Sequence, residues 1–180
     1  MTVADLTAIA GSYAAVDVEQ FIDRTVPDPP VEDGRILIVD DDPHAAKLMR
    51  RLIEREGFTH VAAVGDGQRA LDMMMDHPPD VVVLDAHLPQ VDGFAVLREI
   101  VRSDERTGRP TGVLGVSGDA TPATGQSMLW AGADDFIPRP FEAAEFTLRV
   151  RRIAIRTRSL RRALSYSQFL EGRIHDLADP

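Results

Sequence analysis

The chain has 180 residues, 44% of them hydrophobic and 27% charged, with a formal net charge of −9 and no cysteine. This describes one globular domain with appendages: too short for two full-sized domains, too apolar for a disordered chain, and too acidic for its whole surface to bind nucleic acid. The absence of cysteine excludes disulfides, thiolate metal sites and a cysteine nucleophile; with no membrane-length apolar window and no basic start, the expected location is cytoplasmic.

In chain order, residues 1–26 show broken helical spacing, interrupted at Gly11. The segment from Pro27 to Gly34, with three prolines, cannot sustain a helix or strand interior. Residues 1–34 therefore read as an acidic arm and linker, with seven acids against Arg24 alone. A strand is predicted over 35–39. It is followed by a helix over 43–56 with Ala46, Met49, Leu52 and Ile53 on one side, stopped by Gly57. A second strand spans 60–64. Asp66 caps a helix to residue 76 that turns Leu71, Met74 and Met75 inward, and Pro78-Pro79 breaks it.

The unbroken apolar run Val81-Val82-Val83-Leu84 ends on Asp85 and reads as a strand buried on both faces. Phe94, Val96, Leu97 and Ile100 mark a third helix. A fourth strand spans 112–116, a fourth helix 122–131 and a short fifth strand 135–138. Five βα repeats imply a parallel sheet with right-handed crossovers and helices on both faces.

The last helix begins at Glu142 and meets neither proline nor glycine before Gly172. Phe146, Ile153, Leu160 and Ile174 recur at sevens, joined by Val150 and Leu164, a seam suited to a partner helix although Thr157, Ser167 and Glu171 interrupt it. Seven arginines between Arg149 and Arg162 read as a solvated face rather than a nucleic-acid contact. Nineteen of the twenty basic residues are arginine, Lys47 being the exception.

Open α/β sheets place ligands at the carboxyl ends of their strands. There the first strand delivers Asp40-Asp41-Asp42, the third Asp85, the fourth Ser117-Gly118 and the fifth Arg139-Pro140. Unit charges about 4 Å apart at an effective dielectric near 20 repel by about 4 kcal/mol per pair, so Asp40, Asp41 and Asp85 need a cation. A hard divalent ion with oxygen ligands fits, Mg²⁺ best of all. Asp42 is expected to cap the following helix. A carboxylate nucleophile, metal acids, a hydroxyl and a cation are the parts that form and hold an acyl phosphate.

The stretches "ILIVDDDP", "VVVLDAHLPQVDG", "VLGVSGDA" and "AGADDFIPRPF" resemble the receiver domain of bacterial two-component response regulators over residues 35–150. The resemblance implies a flavodoxin-like, five-stranded, doubly wound sheet of order 2-1-3-4-5. The core is expected at 35–141, and the extended fifth helix read over 142–180 is expected to serve as a dimer arm or signalling helix. It makes Asp85 the phosphoacceptor for a sensor histidine kinase or phosphotransfer protein. Mg²⁺ goes to Asp40, Asp41, Asp85 and the backbone carbonyl of His87. Ser117 becomes the hydroxyl that closes on the phosphoryl group, and Phe136 the aromatic that turns inward. His87 and Asp119 occupy positions the family varies to set phosphoryl lifetime. No enzymatic activity is implied beyond self-phosphorylation and autodephosphorylation. One position departs from the pattern: the family's usual lysine is Arg139, whose planar fork is not equivalent to a point charge.

The output is expected to be protein contact through the face of helix four, strand five and helix five, toward a partner, a fused output domain or a second copy. "IHDLADP", with His175, also resembles a histidine-kinase phosphoacceptor box, and "LADP" the lead-in to a diguanylate cyclase. Either would make the chain the front of a longer protein. A rival of another class is a phosphatase resembling the haloacid dehalogenase family, with Asp40 of Asp40-x-Asp42 as nucleophile. That family's threonine is His44 here, and Asp85 and Arg139-Pro140 go unexplained.

Overall fold

A computed structural model of the chain describes residues 30–118 and 122–178. Expectations for residues 1–29, for Asp119 and for side chains from residue 171 onward, His175 among them, lie outside the described residues. A 3-10 turn at Val31–Asp33 precedes β1 (Arg35–Val39), α1 (Pro43–Arg55), β2 (His60–Val64), α2 (Gly67–Asp76) and β3 (Val81–Asp85). Then come α3 (Gly93–Thr107), β4 (Gly112–Ser117), α4 (Pro122–Trp130), β5 (Asp135–Pro138) and α5 (Ala143–Ala178). The strands form one parallel sheet of order β2-β1-β3-β4-β5, the flavodoxin-like arrangement.

Strand side chains alternate between faces, so each central strand feeds two cores. Ile36, Ile38, Val81 and Val83 pack with Met49 and Ile53 of α1 and with Phe146, Val150 and Ile153 of α5. Leu37, Val39, Val82 and Leu84 face the other way, onto Ala70 of α2, Val96, Leu97 and Ile100 of α3 and Met128 of α4. Burial on both faces explains why β1 and β3 are apolar without alternation. The helix starts follow local chemistry. The Asp42 carboxylate accepts the His44 N–H at 2.8 Å, and the Asp66 carboxylate accepts that of Arg69 at 2.8 Å. The expected inward face of α2 needs correction: Leu71 and Met74 pack on the core together with Met73, but Met75 is 77% exposed.

The seam along α5 divides in two. Phe146, Val150 and Ile153 are buried in the domain's own core, as is Thr157, which lies against Gly112 where no Cβ would fit. Of the apolar seam residues, only Leu160 and Leu164 are exposed among the described side chains, and the seam position after them, Ser167, is exposed too. The same helix turns its arginines onto acids of the domain. Arg149 pairs with Asp135 at 2.7 Å and Glu145 at 2.6 Å, Arg151 with Glu32 at 2.6 Å, and Arg156 with Asp134 at 2.8 Å. Arg161 pairs with Asp80 and donates to the carbonyl oxygens of Pro110 at 2.6 Å and Pro79 at 3.1 Å. The Asp80 carboxylate also accepts the Arg35 N–H at 2.6 Å and meets Arg109 at 3.0 Å, so one acid joins three segments at the amino edge of the sheet. Four of the seven arginines of the basic run, Arg149, Arg151, Arg156 and Arg161, are therefore paired with acids of the domain.

Candidate functional site

The carboxyl edge of the sheet is extended by backbone bonds that carry the functional side chains. The Asp40 N–H donates to the Val64 carbonyl at 3.1 Å, Ala86 N–H to Val116 at 2.9 Å and Arg139 N–H to Ser117 at 2.7 Å. Asp40, Asp85, Ser117 and Arg139 therefore stand at the ends of four adjacent strands, β1, β3, β4 and β5. Gly93, at the start of α3, packs against the backbone of Asp85 and Ala86 so closely that a Cβ there would overlap the Asp85 carbonyl oxygen. That approach requires glycine.

Carboxylate oxygens of Asp40, Asp41 and Asp85 lie within 4.8 Å of one another. Asp40 and Asp85 are buried and Asp41 is exposed. Each buried acid is held in the same way. Asp40 Oδ1 accepts the Asp42 N–H at 2.9 Å, and Asp85 Oδ1 accepts the His87 N–H at 3.0 Å. The other oxygen of each meets the Arg139 guanidinium: Nη1 donates to Asp40 Oδ2 at 2.8 Å, and Nη2 to Asp85 Oδ2. Arg139 Nε is buried and has no partner among the described residues. The Arg139-Pro140 peptide is cis.

Burial raises the Asp40 carboxyl above its ordinary pKa. Arg139 and the Asp42 N–H oppose that shift, while Asp85 and Asp41 add to it. A carboxyl whose folded value lies above its unfolded value favours the folded state when protonated. Its cost is absent below the unfolded pKa of about 3.9 and grows as pH rises through the folded value. In metal-free buffer, Asp40→Asn is therefore expected to stabilise the domain at neutral pH and to flatten its stability profile above about pH 4, measured by urea unfolding. Arg139 keeps Asp85 as a partner in that variant, so no buried cation is stranded. A wild-type profile as flat as the variant's would contradict the shift.

Ser117 is fully buried, and its hydroxyl lies 3.2 Å from His87 Nδ1. Phe136 is partly buried between two glycines: a Cβ on Gly125 of α4 would come within 2.7 Å of its ring, and one on Gly115 of β4 within 3.2 Å. Sequence reasoning missed the His87 side-chain contact and this slot. The glycine in "VLGVS" was the available signal for the slot. A cleft of about 400 Å³ between α1 and the end of β2 is lined by Asp40, Asp41, Lys47, Arg50, Ala63 and Gly65. The Asp42 carboxylate is engaged in capping α1, which leaves an Asp40-x-Asp42 phosphatase site without its second acid.

A parallel 2-1-3-4-5 sheet with three acids, a hydroxyl and a cation at its carboxyl edge is the arrangement expected of a two-component receiver. The model of the response regulator receiver domain matches residues 36–151, and the chain belongs to that family. Response regulator MprA of Mycobacterium sp. (strain KMS) is 36% identical over 123 residues, which are 68% of this chain and 51% of that protein. MprA of Mycobacterium avium (strain 104) is 36% identical over 124 residues, 69% of this chain and 52% of that protein. The chain thus spans about half the length of these curated relatives.

Among solved structures, the receiver domain of the Francisella response regulator 1452 superposes with a TM-score of 0.62 at 27% identity, covering 69% of this chain and 98% of that one. The receiver domain of NtrX from Brucella abortus gives 0.59 at 31% identity, covering 66% and 97%. A BeF3-activated DrrB receiver domain gives 0.59 at 27% identity, covering 67% and 96%. Among the described residues, no helix is long and apolar enough to cross a membrane.

Proposed function

We infer that this receiver is a phosphoacceptor switch, with Asp85 taking the phosphoryl group from the phosphohistidine of a sensor kinase or phosphotransfer protein. A carboxylate oxygen of Asp85 attacks phosphorus, the P–N bond to the histidine breaks, an acyl phosphate forms and the imidazole leaves. The observation that carries this reading is the convergence of Asp40, Asp41 and Asp85 within 4.8 Å at the carboxyl edge, beside Ser117 and Arg139. The three acids fit a hard divalent cation such as Mg²⁺, with Asp40, Asp41, Asp85 and the His87 carbonyl as its holders. When bound, that ion would neutralise charge on the phosphoryl oxygens.

The chain's own residues do the rest. The His87 N–H orients Asp85 through Oδ1, and the Arg139 guanidinium supplies positive charge at the same carboxylate. Ser117 donates its hydroxyl to a phosphoryl oxygen, leaving His87, and Phe136, already seated between Gly115 and Gly125, turns further inward. This is a two-state switch biased by new charge-assisted hydrogen bonds. Its output face is α4, β5 and α5, elements on which Leu129, Trp130, Leu148 and Ile155 are exposed. A downstream partner, a fused output domain or a second copy docks there, with the part of α5 beyond Arg161 as a dimer arm or signalling helix.

Incubation with acetyl phosphate and Mg²⁺ tests the chemistry. Mass spectrometry is expected to find one phosphoryl adduct per chain, sensitive to hydroxylamine as an acyl phosphate is and absent when Mg²⁺ is chelated. An adduct resistant to hydroxylamine would place the phosphate on another kind of group and overturn the assignment.

A further inference from the structure

We propose that Arg139 is a resident counter-cation of the acidic site, and that it must withdraw from Asp40 before a divalent cation can bind, so that residue 139 sets the cation affinity of this receiver. The proposal rests on the functional reading above and adds a control to the same site. Its basis is the way the four oxygens of the two buried acids are shared. Backbone N–H groups two residues further on take Oδ1 of Asp40 and Oδ1 of Asp85. That leaves Oδ2 of each facing the site, and Arg139 holds both through separate nitrogens, Nη1 at 2.8 Å from Asp40 and Nη2 on Asp85. A cation entering between Asp40 and Asp85 therefore meets a guanidinium already paired to the oxygens it needs.

The fork makes this specific to arginine. An ammonium is one point charge with tetrahedral donors, whereas the guanidinium presents two parallel nitrogens that can bind two carboxylates at once. The bridge is well shielded, with side-chain exposures of 1% for Asp40, 6% for Asp85 and 23% for Arg139, so solvent screens it less than a surface pair. Nε of the same side chain is buried, with no partner among the described residues. A phosphoryl group on Asp85 would bring several acceptor oxygens within reach of that side chain, so the pose is favoured only while the site is metal-free and unphosphorylated. Arg139 in this role is a positioning and gating residue: it closes the site by filling it.

Calorimetric titration of the full chain with MgCl₂, comparing wild type with Arg139→Lys and Arg139→Met, tests this without reference to phosphorylation. Removing the cation in Arg139→Met is expected to tighten Mg²⁺ binding about tenfold or more, because two carboxylates are freed from a competing unit charge. Arg139→Lys, which preserves the charge and removes the fork, should lie between the two. The lysine variant keeps the test decisive should the methionine variant fail to fold. Equal affinities for wild type and Arg139→Lys, or weaker binding by either variant, would overturn the proposal. Acetyl phosphate labelling of the wild type separates the two ideas: labelling with unchanged Mg²⁺ affinities sinks the gate alone, and tightened affinities without labelling sink the phosphoacceptor reading alone.

Discussion

Asp85→Asn is expected to abolish the hydroxylamine-sensitive adduct altogether while leaving the fold intact. The change removes the nucleophilic charge and the acceptor that Asp85 Oδ2 offers Arg139 Nη2, and leaves the other contacts in place. Asparagine retains an oxygen to accept the His87 N–H, which reaches Asp85 Oδ1 at 3.0 Å, and Arg139 keeps its 2.8 Å pair with Asp40. The surrounding strand is buried on both faces and does not depend on the carboxylate. Labelling with acetyl phosphate in Mg²⁺ gives the readout, with circular dichroism confirming the fold. An adduct that persists in Asp85→Asn would move the nucleophile elsewhere in the acid cluster, with Asp40 the first candidate because it shares the guanidinium.

Phe146→Ala is expected to cause the largest loss of stability, about 3–5 kcal/mol, the usual range for deleting a buried aromatic ring. For a domain of this size that corresponds to a fall in melting temperature of roughly 10 °C. Phe146 has no exposed surface, lies in the cluster that joins α1, α5 and the sheet, and stacks on Phe141 with ring centroids 4.9 Å apart and planes 12° from parallel. Phe141 follows Pro140 directly, so the stack also supports the turn that delivers Arg139. Thermal and urea unfolding of the variant provide the check, and Phe146→Leu, which leaves a smaller cavity, should lose much less. A loss below about 1 kcal/mol for the alanine variant would mean that α5 is not docked as described.

What the amino-acid sequence disclosed follows from the range of each interaction. Strands such as Val81–Asp85 were legible because burial on both faces forces an unbroken apolar run, and the residue after such a run must emerge at the sheet edge. Asp40, Asp85, Ser117 and Arg139 could thus be placed at one edge from local pattern alone. The destination of the Arg139 fork was not legible, because it depends on side chains 99 and 54 residues away and on which oxygens the backbone has already taken. Period-seven spacing on α5 was real but ambiguous. A helix lying on its own sheet and a helix lying on a partner both repeat about every two turns, and burial of Phe146, Val150 and Ile153 assigns that half of the stripe to the sheet. The arginines of α5 were misleading for the same reason: Glu32, Asp80, Asp134 and Asp135 become their neighbours only once the chain has folded.

Those ion pairs have a mechanical consequence. Between Arg149 and Arg161 the last helix is fastened at two points, to Asp135, which begins β5 next to Phe136, and to Asp80, which precedes β3 at the amino edge of the sheet. Beyond Arg161 it continues to Ala178, about 25 Å further at 1.5 Å per residue. Gln168 still reaches Gly108 of the domain, so under the proposed switch a tilt of about 10° in the helix would move the tip of the roughly 15 Å beyond it by about 3 Å.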